Sequence, residues 1–137
     1  MNKYYQLSSD SLWDEINTDF NNRGGAYVLF CKFNGIIQPI NRLLGSDNKG
    51  ILYIGKTISF LDRVIGLKKT IDLNMKTSSH IGGRRYNRNV KIREAFPFDN
   101  LFIQLYEHAN PADLERKLLN EYFSRVGEVP PLNANDS

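Results

Sequence analysis

Four side chains far apart in the sequence have types and settings that could do chemistry: Tyr27, Tyr53, Arg63 and Glu115. Tyr53 lies in the run Gly50-Ile51-Leu52-Tyr53-Ile54-Gly55-Lys56-Thr57, whose apolar residues between two glycines suit a central strand covered on both faces. The two-residue period of a strand puts Ile51, Tyr53 and Gly55 on one face, and Gly55 is expected to leave an opening beside the phenol. Tyr27 follows Gly25-Ala26 in a second strand-forming run. Arg63, ten residues past Tyr53, carries a permanent charge on a planar fork that matches phosphate oxygens. On a helix projected at about 100° per residue, Leu114, Leu118, Tyr122, Val126, Leu119 and Phe123 span half the circumference, and Glu115 falls in the middle of that apolar arc. A core-facing carboxylate without a partner costs several kcal/mol, so it must meet a metal, an arginine or a dense hydrogen-bond shell. The plain alternative is a structural ion pair with Arg63.

These groups suit one reaction class. Hydrolysis of a phosphodiester needs an activated water, a Lewis acid, a cation on the phosphate and a proton for the leaving oxygen. Glu115 is the candidate metal ligand, since a lone carboxylate suits magnesium, which keeps most of its waters; manganese is the alternative ion. Arg63 is the candidate phosphate clamp. A tyrosine acts as a base only where nearby positive charge lowers its pKa from the usual value near 10. His80 is placed to accept or relay a proton at neutral pH.

The elements that must position these residues can be read in chain order. Residues 8–21 predict a helix, with Leu12, Trp13, Ile16 and Phe20 at helical spacing and Ser9 or Asp10 as cap. Ala26 to Phe33 predicts a strand, and Asn34-Gly35 before Ile36-Ile37 predicts a hairpin over 26–40. Gly45 to Gly50 reads as a polar loop. Ser59 caps a helix to about Leu73 whose apolar side carries Leu61, Val64, Ile65 and Ile71; Arg63 falls opposite, with Asp62, Gly66 and Thr70. Asn74 to Asn89 lacks periodicity and reads as a mobile basic loop with His80 in it. A short helix at Val90–Ala95 ends before Pro97, and Leu101 to Tyr106 alternates as a strand. Asn110 as cap, Pro111 in the first turn and Asp113 beside the helix dipole predict a last helix over 111–126. His108, at a strand end, reads as structural.

Composition sets the frame. The 137 residues, 41% hydrophobic and 24% charged, suit one domain with its own core. No apolar run approaches the roughly 20 residues that span a bilayer, and the first residues lack a secretory apolar region, so a cytoplasmic protein without a membrane partner is expected. The single cysteine, Cys31, excludes an internal disulfide and a multi-cysteine zinc site. Charge is uneven: between Lys56 and Arg93 the chain carries about +8, against about −5 elsewhere, an electrostatic footprint for a polyanion. Lys56, Arg84, Arg85 and Arg88 are assigned to backbone phosphates of DNA, read as duplex.

Gly25-Ala26-Tyr27, Tyr53-Ile54-Gly55, Arg63, Glu115 and the terminal Pro130-Pro131-Leu132-Asn133 resemble, in order, the motifs of the GIY-YIG nucleases, over nearly the whole chain. The resemblance implies a small α+β domain, with three core antiparallel strands plus an inserted hairpin strand flanked by helices, acting as a DNA endonuclease with one divalent metal. It assigns the general base to Tyr27, the orientation of water or phosphate to Tyr53, and a geometry-holding amide to Asn133. His80 lies where the family often carries a histidine or tyrosine. The chain departs from the family in having Ala26 where isoleucine is usual, and in the 25 residues between Tyr27 and Tyr53, a longer interval that holds the hairpin and Arg42. Two other readings use the same residues: a nuclease-like fold that binds nucleic acid without cutting, and an interaction module whose basic segment docks an acidic protein.

Overall fold

Asn34 and Gly35 both take positive φ, +52° and +79°, the left-handed pair that a two-residue hairpin turn requires. In the computed structural model, which describes residues 3–75 and 79–133, this turn joins β2 (Gly25–Phe33) to β3 (Ile36–Ile37). A second, separate hairpin, β4 (Ile40–Arg42) with β5 (Gly45–Asp47), fills most of the interval before β6 (Ile51–Thr57). The polar stretch expected as loop at 45–50 is therefore partly strand. The cause is Asp47: its buried carboxylate accepts the Lys49 and Ile51 N–H groups, each at 3.0 Å, and Arg125 Nη1 at 2.6 Å.

β2 is the spine of the sheet. It pairs antiparallel with β6 along one edge and with β7 (Leu101–Glu107) along the other, and β3 continues the β6 edge beyond Cys31. β1 (Lys3–Gln6) pairs antiparallel with the far side of β7; this edge strand went unread in the sequence. The α+β class with an antiparallel sheet flanked by helices is what the chain adopts.

The two faces of β2 divide the molecule. Tyr27, Leu29 and Cys31 point into the main core, beneath α1 (Leu12–Phe20), α2 (Phe60–Ile71) and α3 (Ile81–Arg88). Val28 joins Ile54, Tyr122 and Val126 on the other face, beneath α5 (Pro111–Val126). Tyr27 lies opposite Gly55 and Leu29 opposite Tyr53, but Phe30 pairs with Ile51, so the register slips by one residue at Leu52. This bulge corrects the expectation that Ile51 shares a face with Tyr53. Leu52 enters the main core beside Tyr53, and Ile51 turns to the α5 side.

Boundaries moved where caps decide them. The first helix begins at Leu12, and its Trp13 is 49% exposed, so helical spacing did not make it a core residue. Ser59 caps α2 through the Asp62 N–H, and the helix ends at Ile71. The basic segment is helical over 81–88; its expected loop character fails because His80 serves as N-cap, accepting the Gly83 N–H, and Tyr86 anchors the helix in the core. Residues 76–78 of that segment lie outside the described residues. α4 (Val90–Ala95) and α5 take the expected bounds, with Asn110 capping α5 and Gly127 closing it at φ +83°. Phe123, in the projected apolar arc, is 55% exposed. Among the described residues no helix is long and apolar enough to cross a membrane.

Candidate functional site

β2 and β6 bring Tyr27 and Tyr53 onto the same sheet face with ring centroids 6.1 Å apart. The expected opening at Gly55 is filled by the first tyrosine itself. A Cβ on Gly55 would stand 2.4 Å from Tyr27 Cζ and 2.5 Å from its hydroxyl, so the glycine exists to admit this phenol across the strand pair. Gly82 of α3 plays the same part for Tyr53, where a Cβ would lie 2.9 Å from the ring. Both phenols are buried, and burial raises both above the usual tyrosine range.

His80 closes the site from above. Its Nδ1 accepts the Gly83 N–H at 3.1 Å, as the cap of α3, and its Nε2 lies 2.8 Å from the Tyr27 hydroxyl. A nitrogen that accepts an N–H carries no proton, so the neutral ring keeps its proton on Nε2 and donates it to the Tyr27 oxygen. The Tyr27 proton then points elsewhere. Burial, then the charges of Arg63 and Arg84, pushes the His80 pKa down to about 3, which fixes the ring neutral. Both ring nitrogens are thus committed, which corrects the expectation of His80 as a proton acceptor. Thr70 holds the backbone beneath it: its Oγ1 accepts the His80 N–H at 3.1 Å and donates to the Gly66 carbonyl at 2.8 Å. Thr70 sat on the side of α2 read as free of the core, and it is buried because α3 covers that side.

Arg63 shares that side of α2 and is half-buried beside the phenols. Its positive charge opposes the upward shift at both tyrosines. Glu115, in the second turn of α5, is half-buried and electrostatically coupled to both phenols. Burial raises its pKa, and the exposed Lys56 opposes that shift. Among the described residues its carboxylate makes neither a hydrogen bond nor an ion pair, so no bridge joins it to Arg63. Among the described residues no group of three or more His, Cys, Asp or Glu side chains converges there, so a metal in this site would rest on Glu115 with water and substrate oxygens.

The remaining predicted residues divide. Asn133 presses its side-chain amide against β6, accepting the Ile54 N–H and donating to the Ile54 carbonyl, both at 2.9 Å. Arg85 is half-buried and donates to the Leu132 carbonyl at 3.0 Å, which withdraws one of its N–H groups from the phosphate role expected of it. Arg84 is half-buried near enough to His80 for its charge to act there, and Arg88 is exposed. His108 accepts the Asn110 N–H in the turn before α5 and stands apart as a structural residue. Sequence reasoning missed Thr70, Gly82 and Gly83. The one signal was His80-x-x-Gly83, a histidine three residues before an N–H it can cap.

These elements define a class: an α+β domain whose antiparallel sheet carries a buried, polar tyrosine–histidine pair under one set of helices and, on another, a carboxylate with no partner among the described residues. Compared with models of known families, with curated proteins and with solved structures, the chain matches none.

Proposed function

We propose that the protein is a metal-dependent endonuclease that hydrolyses phosphodiester bonds in duplex DNA, with a GIY-YIG type of site. The observation that carries this reading is the gathering of Tyr27, Tyr53, Arg63 and His80, from distant parts of the chain, beside a Glu115 carboxylate without a protein partner among the described residues. A carboxylate kept half-buried and unpaired is costly unless a ligand completes it.

Tyr27 is the general base of this proposal. Its oxygen accepts the Nε2 proton of His80, and the positive charge of Arg63 favours a phenolate against the burial that disfavours it. The phenol first gives its own proton, directed away from His80, to solvent; the phenolate then takes a proton from the attacking water, and the leaving oxygen takes its proton from a solvent water. Tyr53 orients that water or the phosphate, and Arg63 clamps a non-bridging oxygen as charge develops on it. A magnesium or manganese ion held by Glu115 would supply Lewis-acid charge to the phosphate and favour the phenolate. Lys56, Arg84 and Arg88 are assigned to the backbone of the duplex, which fits the basic balance of the segment from Lys56 to Arg93.

The test is single-turnover cleavage of duplex DNA against pH at saturating magnesium. Tyr27→Phe keeps the ring and loses the acceptor, so cleavage should fall about a hundredfold or more at every pH. Tyr53→Phe should cost less and leave the shape of the pH profile unchanged. A Tyr27→Phe enzyme with the wild-type profile removes the tyrosine-base mechanism. Salt-sensitive binding without cleavage by the wild type would make this an inert nucleic-acid-binding fold, and salt-insensitive behaviour without DNA binding would leave the protein-docking reading.

A further inference from the structure

Among the described residues, β6 has a paired strand, β2, on one side only. Its other edge is held by the C-terminal segment, which grips the two residues flanking Tyr53. The Leu132 N–H donates to the Leu52 carbonyl at 2.9 Å, and the Asn133 amide exchanges two hydrogen bonds with Ile54. A side-chain amide presents a donor and an acceptor side by side, so Asn133 stands in for the missing neighbouring strand. The segment is itself anchored at two points, the Leu132 side chain buried in the main core and the Leu132 carbonyl accepting from Arg85, and a local bond from the Asn133 N–H to the Pro130 carbonyl at 3.0 Å closes its turn.

Arg85 belongs to α3, the helix whose cap His80 bonds Tyr27 and whose Gly82 lies against the Tyr53 ring. A closed circuit follows, from α3 through Arg85 to the C-terminal segment, from there to β6, and from the Tyr53 ring back to α3. We propose that Arg85 is a positioning residue for Tyr53, acting through the C-terminal segment and not by touching phosphate. The kinetic half of this proposal rests on the endonuclease reading; the structural half does not. A guanidinium that is half-buried and committed to a main-chain carbonyl is poorly placed to meet a duplex, whereas Arg88, three residues on, is exposed.

Releasing Arg85 leaves the Leu132 carbonyl without its partner and loosens the edge of β6 on both sides of Tyr53. Displacements of about 1 Å in a catalytic group cost up to about a hundredfold in rate. The experiment compares Arg85→Ala with Arg88→Ala in three measurements: amide hydrogen exchange at Ile54 and Leu132, single-turnover cleavage, and DNA binding against salt. For Arg85→Ala the expected result is faster exchange at both amides and a cleavage rate about tenfold lower, with DNA affinity and salt slope unchanged. Arg85→Lys, which keeps a donor of similar reach, should restore amide protection and most of the rate. Arg88→Ala should do the reverse, flattening the salt slope and leaving both amides protected. Where Arg85→Ala unfolds the chain, Arg85→Gln takes its place with the same readouts. Unchanged amide protection with a flattened salt slope in the Arg85 variant overturns the proposal. A wild type that does not cleave DNA overturns the endonuclease reading, and the exchange measurement still decides the role of Arg85.

Discussion

Asp47 and Glu115 are both carboxylates drawn away from water beside the same sheet, and their surroundings differ completely. Asp47 is buried with its acceptors filled by two backbone N–H groups and the Arg125 guanidinium, so it holds β5, β6 and α5 together. Glu115 is half-buried with no protein partner among the described residues, and burial makes its charge harder to keep. A satisfied carboxylate is part of the architecture, and under the proposed reading the other is left open for a ligand. The two faces of the sheet also differ. The α5 face is a cleft of about 270 Å³ lined largely by apolar side chains, and the tyrosine face carries the histidine, the arginine and the phenols.

The largest expected effect breaks the comparison from the Asp47 side. Asp47→Ala leaves a partly buried guanidinium and two N–H groups without their acceptor, and should cost about 3–5 kcal/mol in denaturant unfolding. Glu115→Gln removes a charge that has no partner among the described residues, and should leave stability unchanged or slightly raised; under the endonuclease reading it should also abolish cleavage and spare DNA binding. Were Glu115→Gln as destabilising as Asp47→Ala, Glu115 would be a structural residue and the site would lose its metal ligand.

A smaller effect sharpens the contrast through His80, the buried group that resists charging. The unfolded histidine takes a proton near pH 6.5 and the folded one only near 3, so between those values the unfolded state binds more protons. Stability is therefore full above pH 6.5 and falls on acidification, by at most about 1.4 kcal/mol per pH unit. His80→Asn keeps a capping side chain and cannot titrate, so its stability between pH 6.5 and 3 should be flatter than the wild type's. Equal slopes in the two proteins would place the acid-sensitive group elsewhere.

The smallest effect concerns the half-buried Arg84 and the exposed Arg88 of α3. Removing Arg84 and Arg88 together should weaken duplex binding alike for all sequences and reduce the slope of log affinity against log salt by about 0.9 for each phosphate no longer neutralised. An unchanged slope would show that this end of α3 does not meet the duplex.

Local chemistry settled much of this protein in advance. Asn34-Gly35 specified its turn, Ser59 and Asn110 their helix starts, and the periodicity of residues 111–126 put Glu115 on the inner side of α5, because each of these depends on residues within a few positions of one another. Tyr27, Tyr53 and Arg63 were legible as a set by type and order. Their neighbours in space were not. The bulge at Leu52 arises from pairing with β2, and it reverses Ile51 without a mark in its own neighbourhood. The basic segment hid a helix because its glycines are there to admit Tyr53 and Thr70, partners distant in sequence. His80 read as a proton acceptor or relay in a mobile basic loop, and only the packing of α3 on α2 buried it against Tyr27. Arg85 looked like a phosphate ligand until the C-terminal segment offered it a carbonyl. Sequence determines what a residue can donate, accept or bury; only the tertiary structure decides which partner arrives, because hydrogen bonds and burial are won by whichever groups the folded chain brings within reach.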